Sequence, residues 1–373
     1  MSSEGLFSVF KAAIAQQALQ LNPWLSLEIS ELLHHYVEVS VPSLMPLTVD
    51  ILKHFWIDLV LPEAQRHQFV MESIHAVAAF HLAYLRPPNA RAYVRMAQKH
   101  YNLSMTNFRS SVTQIDGDNA LAVLCFTFVQ FLLGLLSPVS LEPSSCDIFE
   151  SMFAALAGSQ GFLNLQPAIY HFADHRMVAD WLSAEVKYPR SATRATYMIP
   201  LLDELACINW ASDYCEQEKE VCQKAITLLQ LFFATIPLFP FEWPALFTWP
   251  AITEANFLDM IRTQHPIALV VLLHWYLPIC RSSNHHWILA RWEEPLVRSV
   301  VESIGPDWHF AVTDLLAKYS HSVFADSHVS ANECLDHPVL GVSGGSMAQN
   351  LPIYIVHPSV RAYMSQRGNK GIP

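Results

Sequence analysis

The stretch 249–292 reads WPAITEANFLDMIRTQHPIALVVLLHWYLPICRSSNHHWILARW, and its second half decides the fold class. Almost every residue in 267–279 is apolar, so a helix here has no solvent-facing side and must be surrounded by protein. Pro266 suits the first helical turn, because its missing N–H would have no intrahelical partner there. The run is shorter than the roughly 20 residues that span a bilayer, and Pro278 and Arg281 are expected to end it. The stretch therefore predicts a central buried helix.

A shorter helix is predicted just before this one. Phe257, Met260 and Ile261 recur at helical spacing. Thr253 precedes them, and its hydroxyl is expected to cap the N-terminus of that helix. The two helices together indicate an all-α protein built around the second one.

Apolar residues recur at helical spacing along most of the first 320 residues, between turns that contain proline or glycine. No strand-like alternation persists, and no fixed-period repeat is present. The predicted helices are 26–39, 50–61, 64–85, 90–115, 120–136, 146–158, a helix pair within 197–236, 298–304 and 308–324. The expected architecture is a single irregular multi-helix domain with an apolar cavity.

Three segments follow from this pattern. Residues 1–23 are predicted to carry an N-terminal amphipathic helix, and 24–325 to form the all-α domain. Residues 326–373 lose the periodicity and contain GVSGGS, so an irregular C-terminal tail is expected there.

Composition excludes several classes of function. Hydrophobic residues make up 52% of the 373 residues and charged residues 15%, which is too apolar for a disordered chain. The net charge of −11 argues against direct nucleic-acid binding, which depends on Lys and Arg. No segment is expected to cross a membrane. The seven cysteines form no CxxC pair and no signal peptide leads the chain, so we expect the nucleus or cytoplasm rather than secretion.

Common catalytic and metal-binding motifs are absent from the sequence. There is no GxSxG for a serine hydrolase and no HExxH for a zinc enzyme, and GVSGGS lacks the lysine of a P-loop. The histidines are numerous, and buried histidines with backbone partners are the expected interpretation. Those singled out are His34, His35, His75, His81, His274, His285 and His286.

Several segments together resemble a known family. ELLHHY at 31–36, FVMESIHAVAAFHLAYL at 69–85, and PIALVVLLHWY at 266–276 followed by Trp287 and Trp292 occur in its order and spacing. They resemble the regulatory domain of fungal sterol-uptake-control transcription factors, over about residues 24–310. The resemblance implies an all-α domain with an apolar pocket for a sterol-like ligand, usually downstream of a zinc-cluster DNA-binding module.

The zinc cluster of that family needs six closely spaced thiolates, whereas the seven cysteines here are scattered. The expectation is a stand-alone sensor of a hydrophobic isoprenoid or sterol-type molecule, without a metal or other cofactor. A protein partner would supply the DNA-binding module. Residues on the most apolar helices are predicted to line the pocket: Phe80, His81, Phe126, Phe153, Phe257, Met260 and Leu273.

An enzyme remains the alternative at this point. A closed cavity lined with aromatic rings also suits terpene cyclisation, since rings stabilise carbocations and water must be excluded. Humulene-type fungal cyclases manage without the usual aspartate-rich motif, and DDxxD is absent here. Such an enzyme would need carboxylates that hold Mg²⁺, and Asp203 and Glu204 are the candidates. The sequence identifies no catalytic residues.

Overall fold

The computed structural model describes residues 23–44, 55–141, 147–172, 193–235, 237–239, 244–282, 287–289 and 292–322. The predicted N-terminal amphipathic helix and the predicted irregular tail lie outside these residues. Within them the protein is an all-α domain, as the sequence predicts.

The first half of the domain contains seven α-helices among the described residues. They are α1 (Pro23–His35), α2 (Val41–Leu44), α3 (Leu61–Arg66), α4 (Gln68–Leu85), α5 (Ala90–Ser111), α6 (Ala120–Leu141) and α7 (Ile148–Phe172). Wider π-helical turns, Tyr36–Ser40 and Phe55–Val60, precede α2 and α3, and a 3₁₀ turn, Pro87–Asn89, joins α4 to α5.

The second half continues with α8 to α14. Its helices are α8 (Met198–Ala211), α9 (Glu216–Thr235), α10 (Pro244–Ile252), α11 (Ala255–Arg262), α12 (Pro266–Ser282), α13 (Glu293–Ser303) and α14 (His309–Ser322), with a 3₁₀ turn at Pro306–Trp308. Two short antiparallel strands, β1 (Thr193–Arg194) and β2 (Pro237–Phe239), pair on either side of α8 and α9 in the chain. Strands of two and three residues are too short to show an alternating pattern, so the sequence did not predict them.

Helix α4 is the centre of the first half. Its residues 73–83 are all buried, and it packs most extensively against α5, and also against α1, α3 and α6. Helix α5 is amphipathic, and its buried residues, Val94, Ala97, His100 and Ser104, follow one stripe at helical spacing. That stripe faces α4, so the polar groups within it meet α4 away from bulk water.

Helix α12 is the centre of the second half, which confirms the predicted central buried helix. Every residue in 267–279 is buried, and the helix contacts α8, α9, α11, α13, α14 and β2. The ring centroids of Trp249 and Trp275 lie 5.6 Å apart, and the Trp249 indole N–H donates to the Ala225 carbonyl at 3.2 Å. Aromatic packing thus holds α12 to α9 and α10.

Pro278 and Arg281 were expected to end α12; the helix passes through Pro278 and ends at Ser282, next to Arg281. One detail predicted just before it is wrong. Thr253 does not cap α11; its hydroxyl donates to the Trp249 carbonyl at 2.7 Å, one turn back in the preceding helix. The residue at the N-cap is Glu254, whose side chain makes no capping hydrogen bond.

Several predicted boundaries also differ. Helix α6 continues through Pro138 to Leu141, and α7 continues to Phe172 rather than ending near Gly158. The predicted helix 64–85 is broken at His67, whose extended backbone separates α3 from α4. Periodicity gave no sign of that break, because apolar residues continue on both sides of it.

Two indole N–H groups join distant parts of the chain. Trp292, at the start of α13, donates to the Leu135 carbonyl of α6 at 2.6 Å. Trp287 donates to the Ser43 hydroxyl in α2 at 3.0 Å. The last third of the chain is therefore bonded directly to both earlier parts.

No helix among the described residues combines the length and the hydropathy that a membrane span requires.

Candidate functional site

Three side chains that could hold a metal ion meet between α4 and α5. Glu72 and His75 are three residues apart on α4, so they project from one face of that helix. His100 reaches them from the buried stripe of α5. One potential ligand atom from each residue lies within 4.8 Å of the other two. We call these three residues the Glu72–His75–His100 cluster.

The hydrogen bonding of this cluster is incomplete. His100 Nδ1 lies 2.5 Å from Glu72 Oε2 and donates to it, while His75 Nδ1 is 4.0 Å from the same oxygen. The two imidazole rings pack edge to face, with centroids 5.1 Å apart. Both nitrogens of His75 and the Nε2 of His100 are buried without a hydrogen-bond partner among the described residues. Buried polar atoms are usually paired, so three unpaired nitrogens in one place call for an explanation.

The charges within the cluster follow from burial and from these contacts. Burial raises the pKa of Glu72, but the hydrogen bond from His100 and the nearby imidazole of His75 outweigh it and lower that pKa to about 2. Burial lowers the pKa of His75, and the carboxylates of Glu72 and Glu28 oppose this only in part. Near neutral pH the cluster therefore holds an ionised carboxylate and a neutral His75.

A polar layer continues from the cluster towards α6. The Gln130 amide donates to the hydroxyls of Ser73 and Ser104, at 3.0 and 3.3 Å. Ser73 directly follows Glu72, and Ser104 lies one turn beyond His100 on α5. The three helices are thus tied together by polar contacts inside an otherwise apolar packing.

A second histidine group lies further along α4, and we call it the His35–His81 group. His81 Nδ1 lies 3.0 Å from the Ser40 hydroxyl, and its ring stacks on Trp287 with centroids 4.3 Å apart. The His35 ring lies 5.0 Å from that of His81. The pKa of both histidines is lowered to about 4, mainly by burial, and for His35 also by the Arg86 cation. Both imidazoles are therefore neutral near pH 7.

The remaining residues predicted for the pocket are spread over the domain. Phe126 of α6 stacks on Phe108 with centroids 4.3 Å apart, while Phe257 packs edge to face on Trp249. Phe80 and Leu273 are buried in α4 and α12. The predicted cavity joining these residues stays a prediction.

Two other predicted pocket residues, Phe153 and Met260, are half-buried where α7 and α11 pack together. The Arg262 guanidinium lies over the Phe153 ring at 5.1 Å from its centroid and donates to the Asp259 carboxylate at 2.9 Å. This edge, formed by Phe153, Met260 and Arg262, combines apolar side chains that solvent can reach with a cation beside them. We call it the α7–α11 edge.

The carboxylates proposed for a cyclase lie on an exposed side of α8. Asp203 accepts a hydrogen bond from the Gln230 amide at 2.7 Å, and Glu204 is exposed beside it. Among the described residues, the Glu72–His75–His100 cluster is the group of three or more potential ligands close enough for one ion. Neither Asp203 nor Glu204 belongs to it, so no observation favours the cyclase.

The sequence did contain a signal for the cluster that our motif search missed. Glu72-Ser-Ile-His75 has the i, i+3 spacing with which a carboxylate and an imidazole share one helix face. Searching for HExxH, which needs histidines at i and i+4, passes over this arrangement. His100 could not be assigned to the same site from sequence, because the packing of α5 on α4 decides that contact.

Comparison with known proteins gives one match. Residues 31–156 match the family model described as a fungal specific transcription factor domain. No curated protein and no solved structure matches the chain. The matched segment runs from within α1 into α7 and includes the histidines of both groups, which lie on α1, α4 and α5. This part of the chain is thus similar to a fungal specific transcription factor domain, which supports a regulatory role.

Proposed function

We propose that this protein is a fungal regulatory protein whose all-α domain binds a hydrophobic isoprenoid or sterol-type molecule. The match of residues 31–156 to a fungal specific transcription factor domain carries the proposal. The family resemblance drawn from the sequence, to sterol-uptake-control factors, supplies the class of ligand. The protein works in the nucleus or cytoplasm, as expected for such a regulator.

The α7–α11 edge is the entry that we propose for the ligand. Phe153 of α7 and Met260 of α11 are half-buried there, whereas Phe257 of α11 is fully buried. A rigid apolar molecule that covers the two half-buried side chains gains the free energy of burying apolar surface, about 25 cal/mol per Å². Arg262 at the rim can donate a hydrogen bond to a hydroxyl group, the one polar group of a simple sterol.

Contact with DNA is assigned to a partner protein. The chain carries 33 acidic and 22 basic side chains, so its net charge of −11 opposes the phosphate backbone. We propose that a partner with a basic DNA-binding module recruits this protein. A salt-sensitive, sequence-selective gel shift by the purified protein alone would contradict that assignment.

Ligand binding is tested by substituting the methionine at the proposed entry. Purified protein is titrated with a fluorescent sterol and with sterols of increasing side-chain length, in the wild type and in Met260→Ala. We expect Met260→Ala to favour the bulkier ligands. The ratio of its affinities for the bulkiest and the smallest sterol should differ from that of the wild type at least fivefold. Truncating a half-buried Met costs up to about 2–5 kcal/mol of stability, so thermal unfolding is measured beside binding.

Met96→Ala is the matched control. Met96 is a partly buried methionine of α5 that packs against the same core. It should lose stability in a similar way and keep the wild-type order of ligand affinities. If a folded Met260→Ala protein retains the wild-type selectivity, the ligand does not enter at the α7–α11 edge. If none of these sterols binds the wild type, sterols are not the ligand class.

The regulatory role is tested by tethering. The chain is fused to an unrelated DNA-binding module in a fungal reporter strain, and transcription is followed with and without added sterol. A sterol-dependent change in the reporter is expected, and the module alone provides the baseline. An unchanged reporter in both conditions, with the fusion expressed, would contradict a regulatory function.

A further inference from the structure

We propose that Glu72, His75 and His100 form a binding site for one divalent transition-metal ion of the zinc type, buried between α4 and α5. The site is independent of the proposed ligand entry, which involves α7 and α11.

The positions of the ligand atoms fit such an ion after small side-chain rotations. One atom from each residue lies within 4.8 Å of the other two. Zinc–ligand bonds of about 2.0–2.2 Å place tetrahedral ligand atoms about 3.4 Å from one another. His75 would have to approach Glu72, from which it is 4.0 Å away, and His100 would have to withdraw slightly from 2.5 Å. The extensive packing of α5 on α4 can stay as it is.

The unpaired imidazole nitrogens are the second observation. The His75 side chain is 3% exposed, and neither of its nitrogens has a partner among the described residues. His100 Nε2 is unpaired as well. A buried polar atom without a partner costs about 1–3 kcal/mol, and coordination to a metal through Nδ1 removes this cost for one nitrogen of His75. The unpaired His75 Nδ1 lies 4.0 Å from the Glu72 carboxylate, and a cation would sit between them.

Charge favours an ion at this place. Glu72 carries a negative charge in a site where its side chain is 12% exposed, and no Lys or Arg pairs with it among the described residues. Burying an uncompensated charge is unfavourable, and a divalent cation offsets it. Two imidazoles with one carboxylate form a ligand set typical of zinc, whereas Mg²⁺ and Ca²⁺ prefer oxygen ligands. Glu72 is the most exposed of the three side chains, so a water molecule in a fourth position would lie on its side.

The test starts from wild-type protein stripped of metal with EDTA. Zn²⁺ is titrated by calorimetry, and thermal unfolding is recorded with and without one equivalent of the ion. We expect one equivalent to bind with micromolar or tighter affinity and to raise the midpoint of unfolding. Co²⁺ serves as a spectroscopic probe, since a site with nitrogen and oxygen ligands gives visible absorption bands without a thiolate charge-transfer band.

Two variants of the cluster and one control complete the design. His75→Leu and His100→Gln should each weaken Zn²⁺ binding at least tenfold and lose the metal-dependent rise in the unfolding midpoint. His67→Leu removes a histidine outside the cluster, at the N-cap of the same helix, and should bind Zn²⁺ as the wild type does. Circular dichroism establishes that each variant is folded. If His75→Leu does not fold, His100→Gln decides.

Three results would overturn the proposal. One is the absence of stoichiometric Zn²⁺ binding to the wild type. Another is undiminished binding by a folded cluster variant. The third is a thiolate-to-cobalt charge-transfer band, which would assign the ion to a cysteine such as the exposed Cys207 or Cys215. A buried His–Glu hydrogen bond without an ion predicts the first result, together with a His75→Leu protein at least as stable as the wild type.

Discussion

Helix α4 carries two buried histidines, six residues apart, whose surroundings differ. His75 faces α5, where it meets the Glu72 carboxylate and a second imidazole. His81 lies on another side of α4, where it meets the Ser40 hydroxyl and the Trp287 indole. Both rings are almost completely buried, and burial is the main reason why the pKa of each is lowered.

Burial and residue type alone therefore do not determine whether a histidine serves in packing or could bind a ligand. In the His35–His81 group, His81 has a hydroxyl partner and an aromatic ring to stack on, and His35 Nε2 is unpaired. In the Glu72–His75–His100 cluster three nitrogens are unpaired beside a buried anion. The His35–His81 group is a packing contact between neutral side chains. The Glu72–His75–His100 cluster contains the Glu72 carboxylate and imidazole nitrogens that have no hydrogen-bond partner. The predictions that follow separate the two arrangements.

The largest effect is expected from Trp287→Ala in the His35–His81 group. Trp287 is 3% exposed, stacks on His81 and donates to Ser43, so its removal leaves a cavity and an unpaired hydroxyl. We expect a loss of about 3–5 kcal/mol in the free energy of unfolding, measured by urea denaturation. The control is Trp210→Ala, because Trp210 is an exposed residue of α8, and it should lose less than about 1 kcal/mol. Equal losses would show that the stacking is not important for stability.

Acid should weaken the same group. The pKa of His81 is about 4 in the folded protein and near 6.5 when unfolded, so between these values the unfolded chain binds more protons. Stability is therefore complete above pH 6.5 and falls as the pH approaches 4. One proton corresponds to about 1.4 kcal/mol per pH unit, or about 2 kcal/mol between pH 6.5 and 5.

Urea denaturation of wild type and His81→Gln at pH 7 and pH 5 measures this contribution. Glutamine does not titrate, so the variant should lose less stability on acidification than the wild type. His35 is coupled to His81 and is also influenced by Arg86, Glu31 and His34, so the variant keeps part of the acid sensitivity. Identical pH dependence in both proteins would mean that His81 is protonated equally in the folded and unfolded states.

A smaller effect is expected from Glu72→Gln in metal-free protein. The substitution keeps an acceptor for His100 but removes the charge that strengthens the 2.5 Å hydrogen bond. We expect a loss of about 1–2 kcal/mol, read from urea denaturation in EDTA. The exposed Glu150→Gln on α7 is the control and should be near neutral. An increase in stability would show that burying the Glu72 carboxylate destabilises the protein more than its hydrogen bond with His100 stabilises it.

The smallest effect is expected at an exposed carboxylate near the end of α4. Glu31 pairs with Arg86 at 2.8 Å, and the two side chains are 45% and 48% exposed. Solvent screens such a pair, so Glu31→Gln should cost less than about 1 kcal/mol, and less still in 1 M salt. A loss equal to that of Glu72→Gln would remove the distinction between the buried and the exposed carboxylate.

The regular elements of this fold could largely be predicted from the pattern of apolar residues. The run before Ile279 has no polar face, and Pro266 marks where its helix begins, as the structure confirms. Helix ends were less predictable. A proline such as Pro278 removes one backbone hydrogen bond, and it commonly ends a helix where water can bind the carbonyl that loses its partner. Protein packs around α12 on all sides, and this helix continues past Pro278.

The sequence by itself determined that the protein is helical and that α12 is buried, because periodicity and composition act within single helices. It also determined that residues 31–156 are similar to a fungal specific transcription factor domain. It also placed Glu72 and His75 on one helix face. Only the tertiary structure decided that His100 joins them and that His81 stacks on Trp287, more than two hundred residues away in the chain. Such contacts depend on how helices pack, and the spacing along one helix carries no information about its neighbour.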